Sequence, residues 1–471
     1  MPSRPALIAR ADSFFQISAR GSTLGREVRG GIATFFTMAY ILVLNPIILS
    51  GATDVHGNQL SFGQVVTVTA LVAGISTVLM GITANLPLAL AAGLGLNAMV
   101  AYQIAPQMSW PDAMGLVLLE GVIICALAGT GLREKVMHAI PMPLKMAIGA
   151  GIGLFIAFIG FVNAGFSVGA EGSPPVHLGA GGQLAGWPVL VFCLGLLLTL
   201  SLLARGTKGA ILISIAATTV VAIIINAIAD IDDAAWGLTV PALPEKIAAA
   251  PDFGLIGQFS LFGSVGQVGV ITVVLIVFTL FLTDFFDTMG TAVGVTGEAG
   301  LLDEKGRVPR LGRLLFVDGL ATVFGGAASA SSNTSYIESA AGVGEGARTG
   351  FANLVTGALF GLSLFLAPLA AVVPAQAAAP ALVTVGFLMM AQVSKIDWTD
   401  QSLAIPAFVT IAVMPFTYSI TNGIGAGFIA YVVVKTALGK AREVHWLLWA
   451  TAALFLVHFA IDPIEQLLGV S

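Results

Sequence analysis

The chain is 471 residues long, 57% hydrophobic and only 10% charged, with a formal net charge of −5 and a mean hydropathy of +0.96. A soluble domain carries about 25% charged residues, so this balance excludes an ordinary soluble protein and points to a polytopic membrane protein. Cys125 and Cys193 each fall inside an apolar segment, which leaves neither a disulfide framework nor a metal-ligand spacing. Nucleic acid is not an expected partner.

Residues 1–30 hold Arg4, Arg10, Arg20, Arg26 and Arg29 and no early apolar core with a small-residue cleavage site. A cleaved signal peptide is therefore not expected. Apolar runs of spanning length then follow at about 31–49, 65–83, 88–104, 113–131, 143–164, 187–204, 209–229, 266–287, 314–328, 331–345, 350–372, 377–393, 402–420 and 422–438, fourteen in all, with a fifteenth at 446–461. With the N-terminus in the cytoplasm and alternating sides, every Lys and Arg except Lys246 falls on the cytoplasmic side, Arg133, Lys135, Lys145, Arg205, Lys208, Arg348 and Lys395 among them. That split follows the positive-inside rule and supports both the orientation and the parity of the count. The loops 165–186 and 230–265 read as surface excursions, and the fifteenth run, ending Ile461-Asp462-Pro463, either spans or lies along the interface.

A weak internal repeat accompanies the count. Segments three and ten are short and carry small and polar residues, Ala91-Ala92-Gly93-Leu94-Gly95-Leu96-Asn97 in one and Gly325-Gly326-Ala327-Ala328-Ser329-Ala330-Ser331 leading into the other. Seven segments apart, with an odd number per half, they imply two halves of opposite topology. Short, glycine-interrupted segments at matching places point to the binding site of a transporter, because non-helical backbone at that depth needs protein or a water-filled cavity around it.

The chemistry lies between Phe281 and Gly350. Asp284 and Asp287 end the eighth run, followed by Thr288 and Thr291, and Glu338 stands in the polar island Ser331–Ala340. Carboxylates in hydrocarbon-length segments are functional by default. Two acids three residues apart share a helix face and form a candidate for taking up and releasing a proton; the bland reading is a helix-end pair in the headgroup region. Glu338 is suited to accept hydrogen bonds from the N–H groups of a heterocycle, with Tyr336 beside it to bound the pocket; its bland reading is an acid at a helix N-terminus. Asn97 is the matching amide of segment three, for a ligand or for free backbone at the break. Glu120 is less specific, Asn45 before Pro46 is read as satisfying a Pro-freed carbonyl, and Asp397 and Asp400 as a solvated helix start. The five His residues show no ligand spacing. No metal site, nucleophile motif or cofactor fingerprint appears, so an enzyme is not expected.

Gly93-Leu94-Gly95-Leu96-Asn97-Ala98, Phe286-Asp287-Thr288-Met289-Gly290-Thr291 and Ser335-Tyr336-Ile337-Glu338-Ser339-Ala340-Ala341-Gly342-Val343, ending Arg348-Thr349-Gly350, together resemble the AzgA-like purine permeases of the nucleobase–cation symporter-2 (nucleobase–ascorbate) group. The resemblance runs from Gly31 to about Lys440. It implies an all-α membrane fold of fourteen segments in two inverted seven-segment repeats, with a short strand and half-helix in segments three and ten. The implied division is a core in 31–164 (segments one to four, with segment five starting a gate), gate segments in 187–229, core again in 266–372 and gate in 377–438, followed by a C-terminal hydrophobic helix at 446–461. It also implies proton-coupled purine uptake in a bacterial inner membrane, with protons as the only coupling ion and no other cofactor, and a homodimer formed through the gate. Substrate contacts then fall on Asn97, Asp287, Tyr336, Ile337, Glu338 and Ser339, proton coupling on Asp287, Asp284 and Glu338, and support on Gly95, Leu96, Thr288 and Thr291. Related members carry a His one turn after the segment-eight acid where this chain has Thr291, which keeps Asp284 in play. The alternative within the same fold is a pyrimidine, ascorbate or anion carrier; an anion carrier would sooner place a cation than Glu338 at that position.

Overall fold

The computed structural model describes residues 6–130, 139–169, 175–229 and 231–460; Arg4, Arg133, Lys135 and the Ile461-Asp462-Pro463 end lie outside them. After α1 (Ala6–Phe15), the first segment is two helices, α2 (Leu24–Met38) and α3 (Ile41–Ser50), which meet at Ala39 and Tyr40. Next come α4 (Phe62–Thr83), β1 (Leu90–Ala92) and α5 (Leu94–Met99), which runs on through a π-turn, then α6 (Trp110–Thr130) and α7 (Met142–Asn163). The loop expected as an excursion carries a small hairpin, β2 (Ser167–Gly169) against β3 (Val176–Leu178). The chain continues with α8 (Trp187–Ala204), α9 (Ala210–Ala229), α10 (Asp233–Trp236), α11 (Gly263–Glu298), α12 (Leu311–Ala327), β4 (Asn333–Ser335) and α13 (Ser339–Gly344). It ends with α14 (Phe351–Ser363), α15 (Ala367–Ala370), α16 (Ala375–Met390), α17 (Gln401–Phe416), α18 (Ile420–Ala437) and α19 (Trp446–Phe459). Among the described residues, nine helical stretches are long and apolar enough to cross a membrane, and α14, α17 and α19 are shorter apolar helices.

The packing falls into two groups. In one, α6 lies on α12 and α11, α4 on α14 and α12, and α2 on α14 and α13; in the other, α7 lies on α16 and α17, α8 on α9 and α16, and α17 on α18. Within a bilayer such contacts are made by close van der Waals packing, which small residues permit. At the α7–α16 crossing a Cβ on Gly153 would stand 2.6 Å from the Gly386 carbonyl oxygen, and one on Gly386 2.4 Å from that of Gly153. A Gly153→Val substitution must therefore push two backbones apart. It is expected to destabilise by about 1–3 kcal/mol, the usual range for overpacking, read as a lower thermal midpoint in detergent; an unchanged midpoint would refute the tight crossing.

The fold is organised around β1 and β4. Each is three residues long and fully buried, so each carries backbone groups that need partners. They pair antiparallel, Leu90 opposite Ser335, Ala91 opposite Thr334 and Ala92 opposite Asn333. The ribbon is extended by Gly93 N–H to the Ser332 carbonyl and Tyr336 N–H to the Ala89 carbonyl, both 2.9 Å. Side chains close the remaining edges. Thr77 Oγ1 accepts the Leu90 N–H at 2.9 Å and donates to its carbonyl at 3.0 Å. Asn353 Nδ2 donates to the Leu86 and Leu88 carbonyls at 3.0 and 2.7 Å, and Thr322 Oγ1 to the Asn333 carbonyl at 3.0 Å. The return of the chain from α12 into β4 runs so close to the helix that a Cβ on Gly325 would sit 2.0 Å from the Ser331 carbonyl oxygen, a position only glycine fits.

Two sequence expectations change. Segment eight does not end at 287: α11 continues to Glu298, with Thr288, Thr291 and Thr296 buried against protein. The polar residues that resembled a helix end in the sequence are an inward-facing stripe. Asn45 does not serve its own helix; its Nδ2 donates to Thr69 Oγ1 at 2.8 Å and to the Ala330 carbonyl at 3.1 Å, tying α3 to α4 and to the turn before β4. Asp400 caps α17 through the Ser402 N–H at 2.9 Å, the solvated helix start read above.

Candidate functional site at the paired strands

The ribbon places acids on either side of itself. On one side lie Asp287 of α11 and Glu338, which follows β4 and precedes α13. Asp287 is exposed and Glu338 half-buried, on segments that touch, since α11 packs on α13. Ile337 is 50% exposed beside them. Phe286 lies under Lys145, whose ammonium is 5.5 Å from the ring centroid. Three acids in helices α6, α11 and α12 lie on the other side: Glu120, Asp284 and Asp318, all fully buried. The three-residue spacing of Asp284 and Asp287 therefore places one acid in an exposed position and the other in the interior.

Hydroxyls hold the interior group. Thr288 Oγ1 donates to Asp318, 2.8 Å from each carboxylate oxygen, and shares a 2.7 Å contact with Thr334 Oγ1. Ser335 Oγ donates to Asp318 at 3.0 Å. Thr322 Oγ1 lies 3.2 Å from Asp284, and Ser332 Oγ 3.4 Å from Glu120. One oxygen each of Glu120 and Asp284 has no hydrogen-bond partner. In this way β4 is pinned to α11 through Thr334 and to α12 through Ser335.

The other sequence-named residues fall as follows. Tyr336 is buried across the ribbon, its hydroxyl donating to the Ala92 carbonyl at 2.5 Å, so it sets the ribbon's geometry. Ser339 is fully buried and accepts the Ala89 N–H at 3.0 Å. Asn97 is 0% exposed and neither amide atom has a partner, an unusual state for a buried amide that calls for an explanation. Leu96 is buried, and Gly95 brings α5 against α7, a Cβ there standing 2.7 Å from Ile152 Cγ2. Thr288 is the Asp318 partner, and Thr291 is buried on α11.

The structure adds residues that the sequence reading did not select. Asp318 stands alone as an acid within the apolar run 314–328, a pattern that marks function by itself. Tyr40, at the break between α2 and α3, donates from its phenol to Glu338 Oε1, and Thr37 Oγ1 reaches the Glu338 carbonyl at 3.3 Å. Their only sequence signal is polarity inside segment one. Among the described residues, no group of three or more His, Cys, Asp or Glu has the geometry of a metal site.

Apolar helices of spanning length around a buried strand pair frame these acids, and the family and relatives that follow make the chain a transport protein rather than an enzyme. The chain belongs to the permease family (Xan_ur_permease), whose profile its residues 25–426 match. It is 38% identical over 456 residues to the guanine/hypoxanthine permease PbuG of Bacillus subtilis, covering 95% of this chain and 99% of that one. It is 37% identical to the adenine permease AdeP of Escherichia coli, covering 94% of each. Among solved structures, the transmembrane domain of the cyanobacterial bicarbonate transporter BicA superimposes with a TM-score of 0.62 at 16% identity, covering 85% of this chain and 97% of that one. Murine Slc26a9 in the inward-facing state superimposes with a TM-score of 0.60 at 12% identity, covering 93% and 73%. At those identities the likeness is one of fold alone.

Proposed function

We propose that this permease takes up purine nucleobases together with protons across a bacterial inner membrane, with its N-terminus in the cytoplasm. The observation that carries the reading is Glu338, held by the Tyr40 phenol at the end of the buried β1–β4 ribbon with Asp287 exposed on the neighbouring α11, in a chain whose relatives are named guanine/hypoxanthine and adenine permeases. A carboxylate in a low-dielectric cleft is a strong acceptor for ring and amino N–H groups, and a second acid beside it has a reason to carry a proton whenever both sites fill. Asn97, with its amide free of partners, is the third substrate contact.

The transport cycle follows from the two packing groups. We read segments one to four and eight to eleven as the core, and five to seven and twelve to fourteen as the gate, in two inverted repeats of seven. The packing supports this. Adding or subtracting seven carries the segment pair two–eleven onto nine–four, one–eleven onto eight–four and five–thirteen onto twelve–six, and maps three–ten and five–twelve onto themselves. Substrate and proton then move with the core past the gate. The aromatic rings of Tyr102, Phe155 and Phe158 gather around Tyr418 between core and gate, with centroids 5.2–6.0 Å from that of Tyr418. Asp287 and Ile337 are exposed, toward the cytoplasmic side in this orientation. Lys208, between gate helices α8 and α9, pairs with Glu345 after α13 of the core, a contact that the movement must break. The gate helices also supply the surface of a homodimer in this reading.

Purified protein in proteoliposomes tests the coupling. Guanine, hypoxanthine or adenine is expected to accumulate when the lumen is more alkaline than the outside. A protonophore should abolish the accumulation, and removal of sodium should leave it intact. Sodium-dependent accumulation, or none with any purine, would overturn the proposal.

A further inference from the structure

Tyr40 and Glu338 are far apart in sequence and rigidly held together in space. Tyr40 is 1% exposed and its phenol donates to Glu338 Oε1. It stands where α2 gives way to α3, so its backbone is fixed by two helices. The α2–α13 contact around it leaves no slack: a Cβ on Gly342 would meet Thr34 Oγ1 at 2.2 Å and the Gly30 carbonyl oxygen at 2.6 Å. Thr37 Oγ1, one turn earlier on α2, lies 3.3 Å from the Glu338 carbonyl. Segment one thus lies against the Glu338 backbone and holds one side-chain oxygen of the acid. A tyrosine is apt for this, because its ring packs in apolar surroundings while its hydroxyl reaches a polar partner.

We propose that Tyr40 is a positioning residue for selectivity, which commits Oε1 of Glu338 and leaves Oε2 as the acceptor presented to the base. This rests on the purine reading above. A free carboxylate can accept two parallel N–H bonds, and guanine offers such a pair from its ring N1–H and 2-amino group, whereas hypoxanthine offers a ring N–H alone at that edge. With one acceptor site of Oε1 taken by the phenol, the second N–H of guanine finds a weaker acceptor there, and the two bases are held more alike. With Oε1 released, guanine gains a second bond that hypoxanthine cannot make.

The test is binding of labelled guanine and hypoxanthine to purified wild type, Tyr40→Phe, Glu338→Asp and the Tyr40→Phe/Glu338→Asp double variant, each checked for an intact thermal midpoint. Tyr40→Phe keeps the ring and removes only the donor. The expected result is hypoxanthine affinity weakened about tenfold, the scale of one lost hydrogen bond to a charged group, and guanine affinity weakened less, so that the ratio shifts toward guanine. Glu338→Asp withdraws the carboxylate by one methylene from the phenol, and in that background Tyr40→Phe should change neither affinity. Equal losses for both bases, or an equal effect of Tyr40→Phe in the Asp background, would show a merely structural residue and overturn the inference while leaving the purine reading in place. Wild type that binds no purine would overturn both.

Discussion

Glu338→Gln is expected to abolish measurable purine binding. The substitution keeps the size of the side chain but replaces a charged double acceptor with an amide that offers one acceptor and two donors. Hydrogen bonds to a charged group contribute about 1.5–3 kcal/mol each, so losing the charge and presenting an N–H to the base's own donors should cost about 3 kcal/mol or more, roughly 100-fold in Kd. The phenol of Tyr40, which donates to Glu338 Oε1, also loses its charged partner, which adds to the effect. Equilibrium binding to the purified protein measures this directly. A Gln variant that binds guanine, hypoxanthine or adenine as tightly as the wild type would remove Glu338 from the site.

Asp287→Asn is expected to separate proton coupling from substrate movement. Asp287 is exposed, whereas Asp284, Asp318 and Glu120 are sealed in the interior behind hydroxyls. In the proposed cycle the coupled proton needs an accessible group, and of these four acids Asp287 is the exposed one. One pH unit across the membrane supplies about 1.4 kcal/mol, roughly tenfold accumulation for each coupled proton. In proteoliposomes the Asn variant should fall to the equilibrium level under an imposed gradient and still exchange labelled for unlabelled purine. Full gradient-driven accumulation by Asp287→Asn would transfer the proton to another acid, with Asp284 next in line through the partnerless oxygen it keeps.

Much of this was legible in the linear chain because a bilayer imposes one-dimensional rules. Apolar length, the side on which Lys and Arg collect and the expense of acids in hydrocarbon can all be read without knowing what touches what. They marked the chain as polytopic, set its expected orientation and singled out Asp284, Asp287 and Glu338 as candidate site residues. The glycine-rich Ala91–Asn97 and Gly325–Ser331 stretches likewise announced broken segments, since such backbone has no place facing lipid.

The tertiary structure decided how those pieces are used. Periodicity put Asp284 and Asp287 on one face, yet α11 packs on α6 and β4 along only part of its surface, so three residues separate an exposed acid from a sealed one. The end of segment eight was misread for a related reason: the threonines after Asp287 have polar hydroxyls but are buried against protein, and composition alone does not distinguish that from a headgroup boundary. The partners Tyr40, Asp318, Thr77, Thr322 and Asn353 acquire their roles only when β1 and β4, more than two hundred residues apart in sequence, pair and leave particular backbone groups and carboxylate oxygens to be satisfied. The sequence by itself determined that this chain lies in a membrane and which acids are expensive to keep there, because burial in lipid is a property of each segment alone. Which acid faces the cleft, and which hydroxyl holds it, was decided by long-range pairing, because a hydrogen bond depends on where two distant segments meet.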